Sequence, residues 1–190
     1  MNLKIVYKMG SRLCLILFYL LILLALFAVA EHYFFIWQPE SSFTQSFGEF
    51  KPIFGYVNVD FFQQPELYTD KSFLMLSLAC NTAALLFGLL FLWYFHKFLK
   101  NMYIDDLFMY ENVSILYKLG LTILVVGTAY IYIDGVLLSK AITALEITNA
   151  QLTLSDFSFV DSILGGIILI IIASALKTAV HAVEENKNTI

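Results

Sequence analysis

Few residues in this chain are equipped for chemistry, and they lie far apart. Asp134 and Asp161 border apolar runs, where an acid in a membrane span can serve as a proton or cation site. His32, His96 and His181 could ligate a metal or carry a proton, and Cys14 and Cys80 could join in a disulfide or a redox pair. Position and spacing argue against each role. Both aspartates fall near the ends of their spans, where a carboxylate reaches water cheaply, and the span middles hold no acid for a relay. The histidines sit at span ends without HExxH or paired spacing, and the cysteines lack CxxC or Cys/His spacing and lie at different depths. No Ser/His/Asp arrangement, phosphate-cradling glycine loop or metal cluster is visible. The expectation is a non-enzymatic protein without cofactor or metal.

What must position these residues is a membrane fold. The chain has 190 residues, 60% of them hydrophobic and only 14% charged, and its mean hydropathy is +0.80. A soluble domain carries roughly 25% charged residues, and one of this length has no interior that could hold the apolar excess. The apolar residues fall into blocks near the ~20 residues that a helix needs to cross ~30 Å of hydrocarbon. These blocks run from about Leu13 to Ala30, Ser72 to Tyr94, Leu116 to Leu138 and Phe159 to Leu176. Each is continuously apolar rather than alternating, which excludes barrel strands. The fold expected is all-α: a bundle of four transmembrane helices, residues 1–190 forming one membrane domain. Lys4, Lys8 and Arg12 before an apolar stretch ending Ala28-Val29-Ala30 also resemble a signal peptide, but that stretch exceeds the usual 7–15 residues, so it reads as a retained span.

Basic residues set the orientation. Lys4, Lys8, Arg12, Lys97, Lys100, Lys118, Lys177 and Lys187 lie on one side, and only Lys51, Lys71 and Lys140 on the other. The richer side is cytoplasmic, which puts both termini, the 95–115 loop and the 177–190 tail inside. The 31–71 loop is then extracytoplasmic. It holds all three prolines (Pro39, Pro52, Pro65) and a run of aromatics from Tyr33 to Phe62, too apolar for a solvated linker. It is expected to fold onto the rim of the bundle, either as a sensing cap or as a plug, with a short strand over Tyr56–Phe61. A net charge of −4 without a basic stripe excludes direct nucleic-acid binding. Small residues mark helix contacts: Cys80, Ala84 and Gly88 at four-residue spacing form one ridge, with Gly127 on the third span and Gly165 and Gly166 on the fourth.

The cytoplasmic segments are more specific. After the second span the chain reads His96-Lys97-Phe98-Leu99-Lys100-Asn101-Met102-Tyr103, a turn at Asp105-Asp106, and a helix leading into the third span. The acidic pair suits the N-terminus of that helix. Phe108, Glu111, Asn112, Val113, Leu116 and Gly120 form a Phe-x-x-Glu-Asn-Val-x-x-Leu-x-x-x-Gly pattern, and the tail closes with Glu184, Glu185, Asn186, Thr189 and Ile190. These two motifs resemble those of small bacterial four-span membrane proteins catalogued as domain of unknown function 2975. The chain departs from that family in having Asp105-Asp106 where a glycine is usual, and Lys187-Asn188 where an acid and leucine are common. The resemblance implies a bacterial inner-membrane protein of no established activity. It also implies a cytoplasmic partner, since family members are often encoded beside a small helix-turn-helix regulator of the Xre type.

Three expectations follow. Residues 97–115 and 182–190 build a cytoplasmic surface that docks a partner in a regulatory or scaffolding role. Alternatively, the two motifs pack on each other and only brace the inner end of the bundle. A carrier or sensor of small molecules or ions would instead need a polar cavity at mid-depth, lined by Asn81, Thr82 and Thr122.

Overall fold

A computed structural model describes residues 3–55, 57, 63–104, 107–144 and 159–188. All regular structure among them is helical. Four helical stretches are long and apolar enough to cross a membrane. The first is α1 (Leu3–Trp37), followed by the short α2 (Ser42–Phe47), a 3-10 turn (Glu66–Thr69) and α3 (Lys71–Ile104). The third span is composite, made of α4 (Tyr110–Leu121), a π-helical segment (Thr122–Gly127) and α5 (Thr128–Thr143), and the fourth is α6 (Val160–Asn188).

The helices run well past the apolar blocks. At 1.5 Å per residue α1 is about 52 Å long, far more than the ~30 Å hydrocarbon core. No proline stands between Leu3 and Trp37 or between Lys71 and Ile104, and the lone Gly10 and Gly88 are tolerated, so the backbone stays hydrogen-bonded where the side chains turn polar. Most of the 95–115 loop is therefore helix, and the 177–190 tail is helical through Asn188. Ala28-Val29-Ala30 lies inside α1. The acidic pair Asp105-Asp106 lies outside the described residues; the acid in the first turn of α4 is Glu111. The strand expected over Tyr56–Phe61 also falls outside them, apart from Val57, which belongs to no regular element.

Helices adjacent in sequence are adjacent in space. Packing runs from α1 to α3, from α3 to the composite span, and from that span to α6, so α1 and α6 form the edges. Each neighbouring pair is antiparallel. Ser11 meets His96 and His32 meets Ser77 across α1 and α3. Asn101 meets Asn112 and Cys80 meets Asp134 across α3 and the third span. Tyr117 meets Ser174 and Thr128 meets Ser162 across the third span and α6. Two buried clusters form, one toward each end. At the loop end Ile36, Phe50, Phe54, Tyr68, Phe73 and Leu74 pack with Cys80, Leu137 and Ala141. At the tail end Val113, Ile115, Leu116 and Leu119 pack with Ala173, Leu176 and Val180.

The described part of the aromatic loop folds back on α1. Ser41 caps α2, its hydroxyl accepting from the Thr44 amide at 3.1 Å, and Gly48 takes the positive φ of 79° that ends the helix. The rings of Phe43 and Phe47 then meet Phe34 and Phe27, with centroids 4.6 and 5.8 Å apart. Phe50 reaches the edge of His32 at 5.3 Å.

Candidate functional site

The tail end is assembled from the last turns of α3, the turn at 107–109, the start of α4 and the end of α6. Asn112 is its keystone and is fully buried. Its Nδ2 donates to the Leu107 carbonyl at 3.1 Å, and its Oδ1 accepts from Asn101 Nδ2 at 3.0 Å. Its backbone amide donates to Met109 at 3.0 Å. One side chain thus closes the turn after α3 and ties that turn to α3 itself. Such a satisfied buried amide fixes geometry, because no other arrangement keeps its donors and acceptors paired.

The Phe108–Gly120 motif divides by direction. Val113 and Leu116 are buried in the tail-end cluster. Gly120 lies against α6, where an added Cβ would come within 2.9 Å of the Gly166 carbonyl and 2.8 Å of Ile170. Phe108, Tyr110 and Glu111 point outward, with Phe108 42% and Tyr110 44% exposed. The tail motif meets this outward edge. Tyr110 stands beside the Glu184 carboxylate there. Glu184, Glu185 and Asn186 are exposed, and Glu185 pairs with His181 at 3.4 Å. Thr189 and Ile190 lie outside the described residues. Sequence reasoning passed over Tyr110 and Asn101, since neither is distinguished by type or spacing until the turn brings it to its partner.

The small residues serve more than one neighbour. Cys80 faces the third span, its thiol 3.7 Å from Asp134 Oδ1. Gly88, two turns on, faces α1, where a Cβ would meet Leu21 at 2.8 Å. Ala84 is half-buried between them. The ridge is therefore shared between two partner helices. Gly127 admits the Phe87 ring, at 3.3 Å from an added Cβ. A Cβ added at Gly166 would come within 2.7 Å of Leu124 Cβ and 2.8 Å of the Gly120 carbonyl, whereas one at Gly165 would meet only Ile123, at 3.7 Å.

Asp134, His32 and His96 are held in contacts between elements. Asp161 is exposed, but Asp134 does not reach water as its position suggested; it is only 3% exposed. Its carboxylate accepts from the Gly55 amide at 3.0 and 3.2 Å, so the loop covers the end of the third span and supplies the hydrogen bond that water would have given. His32 Nδ1 donates to the Ala28 carbonyl at 2.8 Å, leaving Nε2 to accept from Ser77 Oγ at 3.2 Å. His96 Nδ1 lies 2.8 Å from the Ser11 carbonyl and 3.0 Å from its hydroxyl. Among the described residues, no three His, Cys, Asp or Glu side chains gather at a metal-binding distance.

Two of the three groups named for a mid-depth cavity, Thr82 and Thr122, are engaged locally. The Thr82 hydroxyl donates to Leu78 O from an exposed position, and the Thr122 hydroxyl to Lys118 O, each at 2.7 Å. A cavity of about 220 Å³ lies instead at the loop end, lined by Phe35, Thr44, Glu49, Phe50, Gln64 and Tyr68 among others. Comparison with family models, curated proteins and solved structures finds no match to the chain.

Proposed function

We propose that this chain is a non-enzymatic membrane scaffold whose tail end docks a cytoplasmic protein partner. In this reading both termini face the cytoplasm of a bacterial inner membrane, as the lysine and arginine distribution favours. The partner suggested by the motif resemblance is a small helix-turn-helix DNA-binding protein, and the chain itself makes no nucleic-acid contact. The observation that carries the reading is the split within the Phe108–Gly120 motif. Asn112 and its neighbours lock a rigid turn, and that turn presents Phe108, Tyr110 and Glu111 outward beside Glu184. Bracing the bundle accounts for Asn112, Leu116 and Gly120. It does not require an exposed phenylalanine and an exposed acid. Aromatic anchors on rigid supports are what protein interfaces favour.

A mild-detergent pull-down of the tagged chain from its native membrane tests the reading. Recovery of a small DNA-binding protein is expected, with loss of that protein on Phe108→Ala or on removal of Glu184 to Ile190. Recovery unchanged by either alteration would place docking elsewhere.

The loop-end cavity supports a second reading, in which the aromatic loop senses a small molecule there. Stabilisation of the chain by a ligand, abolished by Gln64→Leu, would favour it over the docking role.

A further inference from the structure

The cations Lys4, Lys8 and Arg12 on α1 and Lys97 and Lys100 on α3 collect at one end of the α1–α3 hairpin. The contacts between Ser11 and His96 and between Gly10 and Leu99 bring the two basic segments side by side. Nothing on the hairpin neutralises them. α1 has no acid before Glu31, and α3 has none at all. Among the described residues the recorded ion pair is His181–Glu185, on α6. Asp105 and Asp106, the next acids along the chain, lie outside the described residues. Two of the cations rest on rings: Lys8 Nζ stands 5.2 Å from the Tyr103 centroid and Lys97 Nζ 5.0 Å from that of Trp93.

We propose that this end of the hairpin is a docking surface for the headgroups of anionic phospholipids. The charge is complementary, and the level is right. Counting 1.5 Å per residue from the His32–Ser77 contact at the other end, Ser11 lies about 31 Å away, the thickness of a hydrocarbon core, so Lys8, Arg12, Lys97 and Lys100 fall at or just beyond its edge, at the phosphate layer, and Lys4 lies farther out. The place is also accessible, because α1 is an edge helix packed chiefly on α3 and its outer face is left exposed, with apolar side chains such as Leu13, Leu17 and Leu20. Lysines seated on aromatic rings at an interface keep their apolar stems in contact with the helix and their charge among the headgroups. The hairpin thereby carries the lipid contact, while the α4–α6 side of the same end carries Glu111, Glu184 and Glu185. The proposal rests on the membrane spans and is independent of partner docking.

The chain has two tryptophans, so Trp37→Phe leaves Trp93, beside Lys97, as a local reporter. The full chain is placed in phosphatidylcholine vesicles with a minority of acyl-brominated phosphatidylglycerol or, for comparison, acyl-brominated phosphatidylcholine. Stronger quenching of Trp93 by the anionic lipid is expected, and soluble glycerophosphate in excess should leave it unchanged. Substituting Lys8, Arg12, Lys97 and Lys100 by Gln should lower the preference by about fivefold or more, since each cation near an anionic surface counts for about that factor. Substituting Lys118, Lys177 and Lys187 by Gln, on the other helices, should leave the preference intact. Equal quenching by the two lipids, equal loss in both sets of variants, or competition by glycerophosphate would each overturn the proposal.

Discussion

His96 on α3 reaches Ser11 on α1 with Nδ1 2.8 Å from the serine carbonyl, and the same two residue types meet at the opposite end with the helices exchanged, as His32 and Ser77. The two contacts are about 30 Å apart along either helix, a separation that matches the thickness of a hydrocarbon core, and they clasp the hairpin at both ends. Apolar side chains give helices little preference for each other over lipid, whereas polar contacts near the interfaces fix both pairing and register. Ser77→Ala leaves the buried His32 Nε2 without this partner and is expected to lower stability by about 1 kcal/mol. Adding His32→Phe should recover part of that loss, which a double-mutant cycle of thermal unfolding in detergent would read.

The Gly120–Gly166 crossing predicts a sharp contrast between neighbouring glycines. Gly166→Ala places its Cβ 2.7 Å from Leu124 Cβ and against the Gly120 backbone, and neither can move without parting the helices. A loss of about 2 kcal/mol is expected. Gly165→Ala meets only Ile123 at 3.7 Å and should be neutral or slightly stabilising, since alanine favours helix. Melting temperatures of the two variants in one detergent decide the matter.

Asp134 predicts coupling between the third span and the loop. Asp134→Ala removes the acceptor for the Gly55 amide, while Asp134→Asn keeps an oxygen there. Hydrogen exchange at residues 50–55 should rise strongly in the alanine variant and only modestly in the asparagine one. Unchanged exchange in both would mean that Phe50 and Phe54 hold the loop unaided.

Asp70 gives a pH dependence. Its carboxylate caps α3 by accepting from the Ser72 hydroxyl and amide, and these bonds, the hydroxyl first, hold its pKa below the usual carboxylate range. A pKa lowered on folding contributes stability above the ordinary value and loses it as pH falls through the lowered one. The difference in melting temperature between the parent chain and Asp70→Ala should be constant near neutrality and shrink below about pH 4.

The four spans were legible because apolarity summed over about 20 residues is a local property that needs no knowledge of neighbours. Helix ends were less so: Lys4 to Arg12 and Tyr94 to Ile104 are polar enough to leave an apolar window yet contain no proline, and the lone Gly10 does not end α1. Contacts between helices were the least legible. The spacing of Cys80, Ala84 and Gly88 announced a smooth surface, but which helix each faces depends on crossing geometry, and Cys80 and Gly88 diverge. The burial of Asp134 depends on Gly55, far away in the sequence. Ser11 and Ser77 drew no attention, although each stands nearly a membrane thickness along its helix from the histidine that mirrors its partner.

The proposed docking face makes the most direct demand on experiment. A photoreactive phenylalanine analogue at position 108 is irradiated in native membranes, with position 43, also exposed, at the loop end, as reference. The account predicts an adduct with a soluble protein from position 108, absent from position 43 and lost on Glu111→Ala with Glu184→Ala. Adducts with lipid or with the chain itself alone, or the same protein captured from both positions, would contradict it.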